Sequence, residues 1–128
     1  MSHTNLALSL LSETFAICRL GPEADIPSWA LDGDFFSVTR TQEELSLVCL
    51  EEIVPEGTRC EKDFRCFKVR GPLDFSLTGI LSSLTIPLAQ AGISVLALST
   101  FDTDYLLVKE AQVDRAVQKL SQAGHRFV

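Results

Sequence analysis

The apolar positions in the second half of the chain change their spacing in a fixed order. Residues 64–69 read as a strand, and the pair Gly71 and Pro72 ends it. Residues 80–91 have helical composition. Gly92 stands just past their end, where the left-handed conformation that stops a helix favours glycine. Residues 93–99, "ISVLALS", predict a buried strand, "TFDTD" a turn, and residues 105–109 a second β-rich run. Val113, Ala116, Val117, Leu120 and Ala123 then recur at helical spacing, with Gly124 as the stop. Residues 125–128 supply a last strand. The order strand, helix, strand, strand, helix, strand is that of an α+β, ferredoxin-like βαββαβ unit. Pro87 lies inside the first helix, where it either kinks the helix or marks a restart.

The first half reads as a worn copy of the second. "RLGP" (residues 19–22) matches "VRGP" (residues 69–72) at its Gly-Pro, fifty positions away. "SVTRTQEELSLV" (residues 37–48) lies over "ALSTFDTDYLLV" (residues 97–108), sixty positions away. That overlay sets Glu44 on Asp104, Leu47 on Leu107 and Val48 on Val108. The ten residues lost between the two matches leave room for only a short first-half helix, around residues 26–31. Pro55 and Gly57 stand where a second helix is due, so a loop is expected there. The early run "LALSLL" reads as one more strand. The expected division is a degenerate subdomain over residues 1–62 and a complete one over 63–128. The two are expected to share one core through a joined sheet, because neither half is large enough to be comfortable alone.

Composition narrows what such a domain can do. At 128 residues, 46% hydrophobic and 22% charged, the chain suits one domain, or two very small ones fused across a shared core, and is far from a disordered one. A net charge of −6 with no Lys/Arg cluster repels a phosphate backbone, so nucleic acid is not an expected partner. Residues 75–101 carry no charge and are long enough to span a bilayer. Five serines, three threonines, Gln90 and Pro87 within them favour a helix followed by a buried strand, so no membrane partner is expected. The start has no basic segment and no small-residue cleavage motif, and a cytosolic protein is expected. Cys18, Cys49, Cys60 and Cys66 show no CxxC spacing and no neighbouring His, since His3 and His125 lie near the two ends. Neither a metal site nor a cofactor is expected, and the thiols read as small buried hydrophobes in a reducing compartment.

The chemistry concentrates in two stretches. "RGPLDFSLTGI" (residues 70–80) leads into a helix start, where unpaired N–H groups and the helix dipole suit a carboxylate. Gly79 permits close backbone approach, and Ser76 or Thr78 offers a cap or a ligand contact. The same residues also read as a plain capped turn. "STFDTDYLL" (residues 99–107) offers the opposite charge. Asp102 reads as a solvated turn residue, whereas Asp104 leads directly into the next strand and can meet a cation. Trp29 reads as packing. Catalysis would need a nucleophile with a base, or two carboxylates with displaced pKa. With no central His and no partner for the thiols, the chain is not read as an enzyme.

These residues together resemble the ACT domain. "GPLDFSLTGI", a helix, "AGISVLALSTFDTDYLLV" and the "AQVDRAVQKL" helix carry the likeness. It is nearest to the subgroup of small bacterial tandem-ACT proteins and arginine sensors of the CASTOR type, and "FFSVTRTQEELSLV" resembles their degenerate first repeat. The resemblance implies tandem ACT-like repeats and an amino-acid-binding regulatory module working as a homodimer. It implies a ligand site built from Asp74, Phe75, Ser76, Leu77, Thr78, Gly79 and Ile80 on the loop. Thr100, Phe101 and Asp104 would complete it from the turn. The alternative is an assembly or partner-binding module whose pocket is vestigial.

Overall fold

The computed structural model describes residues 5–74 and 78–128, which fall into two compact units. One unit is the continuous segment Glu13–Phe64. Its strands are β2 (Phe15–Leu20), β3 (Ser37–Arg40), β4 (Leu45–Leu50) and the first residues of β5 (Cys60–Val69). They lie in the order β3-β4-β2-β5, antiparallel throughout. The room left for helices in this half is filled by two short 3-10 turns, Ser28–Leu31 and Glu51–Ile53. A chain with Pro55 and Gly57 at this point has no stretch in which a longer helix can form. Ala16, Cys18, Ala30, Leu45, Leu47 and Cys49 are buried together, with Trp29 packed against them.

The other unit joins the strand β1 (Ala7–Leu10) to everything from Arg65 onward. The division expected from sequence set β1 with the first half. Its pairing decides otherwise, because β1 lies antiparallel to the second part of β5 and parallel to β8 (Arg126–Phe127). β6 (Leu96–Ser99) pairs with β7 (Asp104–Lys109), and β7 pairs with β5. The strand order in this unit is therefore β6-β7-β5-β1-β8, with the two-residue β8 next to β1 and not next to β5.

Among the described residues, two α-helices cover this sheet. α1 (Ile80–Gln90) buries Ile80, Leu84 and Leu88, and α2 (Val113–Gln122) buries Val113, Ala116 and Leu120. Residues three or four apart stand on one helical face, so each set forms a single apolar stripe. Both stripes meet Leu8, Phe67, Val69, Leu106 and Val108 in one cluster. Each fully buried Leu there contributes about 1.5–3 kcal/mol relative to exposure. Arg115 Nη2 donates to the Ala91 carbonyl at 2.6 Å and so covers the exposed end of α1.

Pro87 neither breaks nor restarts α1, which runs unbroken through it. A proline has no N–H to give the carbonyl four residues back, so Ser83 loses its usual donor. His125 replaces it. Its Nε2 lies 2.9 Å from the Ser83 oxygen, and its Nδ1 accepts the Leu6 N–H at 3.1 Å. With Nδ1 an acceptor, Nε2 carries the proton, and the buried imidazole is fully satisfied.

The two hairpins correct the repeat alignment by one position. In β3–β4 the pairs run from Ser37 and Val48 to Arg40 and Leu45; in β6–β7 they run from Leu96 and Leu107 to Ser99 and Asp104. Leu45, and not Glu44, is thus the counterpart of Asp104, and Glu44 is the counterpart of Thr103. The turns agree: Thr41 N–H donates to Glu44 O at 2.9 Å, and Thr100 N–H to Thr103 O at 2.8 Å.

Candidate functional site

The turn between β6 and β7 is held by its own hydroxyls. Thr100 Oγ1 accepts the Thr103 N–H at 3.3 Å. The Thr103 hydroxyl in turn donates to the Val69 carbonyl at 2.7 Å, which fixes the turn to β5. The loop that follows Gly71 and Pro72 is tied to the same turn by the Leu73 N–H, 2.7 Å from the Asp102 carbonyl. Gly71 makes this approach possible, since a Cβ there would lie 3.1 Å from both the Asp102 oxygen and the Thr103 Cβ. Those distances are tighter than ordinary contacts, so any other residue would push loop and turn apart.

Between loop, turn and α1 lies a cleft of about 280 Å³. Leu73 and Asp74 line it from the loop, Gly79, Ile80 and Leu81 from the helix start, and residues 99–104 from the turn. The helix residue at the cap is Gly79, with φ at 77° and no side chain to satisfy the first turn. The amides of that turn have no partner within the helix, and the dipole adds partial positive charge. Opposite them, Asp104 accepts the Ser99 hydroxyl at 2.5 Å, a short bond that fixes the direction of the carboxylate. The amides at the start of α1 therefore suit an anion and Asp104 a cation, while Asp74 and Asp102 add further negative charge to the lining.

Of the residues singled out from sequence, Asp74, Gly79, Ile80, Thr100, Phe101 and Asp104 line this cleft. Phe101 does so from the rim, with 78% of its surface exposed. Thr78 is exposed and not among the lining residues, while Phe75, Ser76 and Leu77 lie outside the described residues. Sequence reasoning missed Leu81, Ser99 and Thr103, and it set Asp102 aside as solvated. The Thr-x-x-Thr spacing of residues 100–103, which matches the Thr-x-x-Glu of residues 41–44, was the signal that two hydroxyl-closed turns were present.

The thiols build no second centre. Cys60 stands opposite Cys18 in the register of β2 and β5, and all four thiols are free. Burial pushes the Cys18 thiol up to about 12, with Cys49 and Cys60 beside it adding to the rise. Burial raises Cys49 as well. Thiols held protonated in this way are weak nucleophiles.

Comparison with known proteins bears on the same two halves. Residues 59–122 match the family model of the ACT domain, and residues 13–57 match the model of an N-terminal domain. The chain is 31% identical over 99 residues to the human protein named "Cytosolic arginine sensor for mTORC1 subunit 1", a match over 69% of this chain. It spans only 30% of that sensor's length. A crystal structure of an Agobacterium tumefaciens protein superposes with a TM-score of 0.93 at 39% identity, over 98% of this chain and 93% of that one. The regulatory subunit of aspartate kinase from Thermus flavus shares the fold, with a TM-score of 0.64 at 12% identity over 94% and 99% of the two chains.

Proposed function

This chain belongs to the ACT domain family, and from that premise we propose that it binds a free amino acid and regulates another protein, with no catalysis of its own. The observation that carries the reading is the two-signed cleft, with the start of α1 on one side and the Asp104 turn on the other. An α-amino acid bears a carboxylate and an ammonium only a few ångströms apart. The loop from Asp74 to Ile80 takes the carboxylate through backbone N–H groups, Asp104 takes the cation, and Thr100 and Phe101 border the bound molecule. The regulated assembly is a cytosolic homodimer. The names of an arginine sensor and of a kinase regulatory subunit among the similar proteins support a regulatory role.

Titration calorimetry against the twenty amino acids tests this. At least one binds the wild type, and Asp104→Asn weakens it about ten- to a hundredfold. That range corresponds to one charge-assisted bond of about 1.5–3 kcal/mol. The unliganded melting temperature stays within about a degree, because a surface carboxylate adds little to stability. If no amino acid binds, the chain is an assembly module with a vestigial pocket. If one binds and Asp104→Asn leaves its affinity unchanged, the site lies elsewhere.

A further inference from the structure

The first unit has its own version of the cleft, and it is furnished differently. Both turns follow a strand pair of the same register, and both face a loop that begins at Gly-Pro. In the second unit the loop reaches the turn through a backbone amide, Leu73 N–H to Asp102 O. The matching carbonyl in the first unit, Glu43 O, accepts Arg19 Nη2 at 2.9 Å instead. The loop carbonyls of Pro22 and Ala24 are then left facing the cleft, and Arg40 supplies both donors. Its Nη1 donates to Pro22 O, and its Nη2 donates to Ala24 O at 2.7 Å. Arg40 stands at the register position that Ser99 holds in the other hairpin.

The polarity of this cleft differs as well. No long helix begins here, only the 3-10 turn Ser28–Leu31, so there is no first turn of amides to receive a carboxylate. The lining consists of carbonyls with Glu23, Asp25 and Gln42 around a space of about 580 Å³. Apart from Arg40 itself, the side-chain donors here are the amide of Gln42 and the Thr41 hydroxyl, which is turned to the Glu44 carbonyl within its own turn. A planar guanidinium presents paired N–H groups in a fixed fork, which matches two carbonyls two residues apart better than an ammonium does.

We propose that the first unit's cleft is a guanidinium site that the chain fills with its own Arg40. It is a site closed in cis, open to guanidinium-bearing small molecules only when that side chain is withdrawn or removed. The proposal does not depend on what the second unit's cleft binds. Its probe is methylguanidinium, and its readout lies in the first unit.

Arg40→Ala should melt about 2–6 °C below the wild type. Methylguanidinium chloride in the millimolar range should restore the loss saturably. It should leave the wild type unaffected beyond the effect of the same concentration of methylammonium chloride. Arg40→Ser, which installs the counterpart residue, should show the same rescue and serves if the alanine variant does not fold. In the unaltered protein, the Arg40 guanidinium nitrogens should give separate NMR signals, because two carbonyls stop rotation about the Cζ–Nε bond. A single averaged signal for Arg40, or variants that methylguanidinium stabilises no better than methylammonium, would overturn the proposal.

Discussion

At the scale of single residues, the most consequential exchange is the one between Pro87 and His125. The proline strips a donor from Ser83, and a histidine from the far end of the chain replaces it while also accepting the Leu6 N–H. His125→Ala should therefore cost about 2–4 kcal/mol in urea unfolding, since it leaves a buried amide and a half-buried carbonyl unpaired, and a void. In that background Pro87→Ala should recover part of the loss, because the new N–H reaches the Ser83 carbonyl. A double-mutant cycle should show a coupling of about 0.5–2 kcal/mol, and strict additivity would contradict the exchange. Cys18 carries a second residue-scale prediction. Its folded-state pKa is raised from 9.0 to about 12, so the thiol form is favoured by folding. Below pH 9 both states hold the proton and nothing changes. Between pH 9 and 12 the unfolded chain loses it first. Stability should then fall with rising pH, by at most about 1.4 kcal/mol per unit from this group. Alkaline melting curves of Cys18→Ala should decline more gently than those of the wild type.

At the scale of elements, the turn between β6 and β7 depends on one hydroxyl more than on its acids. Thr103 is only 5% exposed, and its O–H anchors the turn to the Val69 carbonyl. Thr103→Val keeps the shape and removes the donor. It should cost about 1–2 kcal/mol in denaturant unfolding, whereas Thr103→Ser should stay close to the wild type. The helices and most strands were legible because their patterns are strong: Leu84 and Leu88, or Ala116 and Leu120, can share a face only in a helix. The register of the repeat was not. "LVC" in β4 and "LLV" in β7 are runs of three buried apolar residues, so sliding one hairpin by a position still sets two apolar pairs, Leu47 on Leu107 and Val48 on Val108. Alternation fixes register only where polar residues interrupt it. The same ambiguity hid Arg40, whose role depends on the corrected register. Ser99 escaped notice for a different reason, as nothing local says that its hydroxyl will point at Asp104.

At the scale of the whole molecule, the chain leaves one unit, builds another, and returns. Leu10 pairs with Phe67, and Leu11 N–H donates to Cys66 O at 2.9 Å, so the excursion starts and ends at adjacent points of one antiparallel ladder. Replacing residues 13–64 by a two-residue Asn-Gly turn should close β1 and β5 into a hairpin. The product should unfold cooperatively and keep the far-ultraviolet signal of two helices; a non-cooperative product would show that the second unit cannot stand without the first. None of this was visible in the pattern of residues 6–11, which specifies a strand but not its neighbours. The return has a further consequence, for the chain as it leaves the ribosome. The Leu6 amide must wait for His125, made 119 residues later, while the segment from Glu13 to Phe64 carries β2, β3, β4 and the residues of β5 that pair with β2. That segment can condense early, and β1 can pair with β5 once Val69 has been made, but its parallel pairing with β8 waits for residues 126–127. Synthesis at about 5–20 residues per second leaves the Leu6 amide without its histidine partner for roughly ten seconds, long enough for a chaperone to find it.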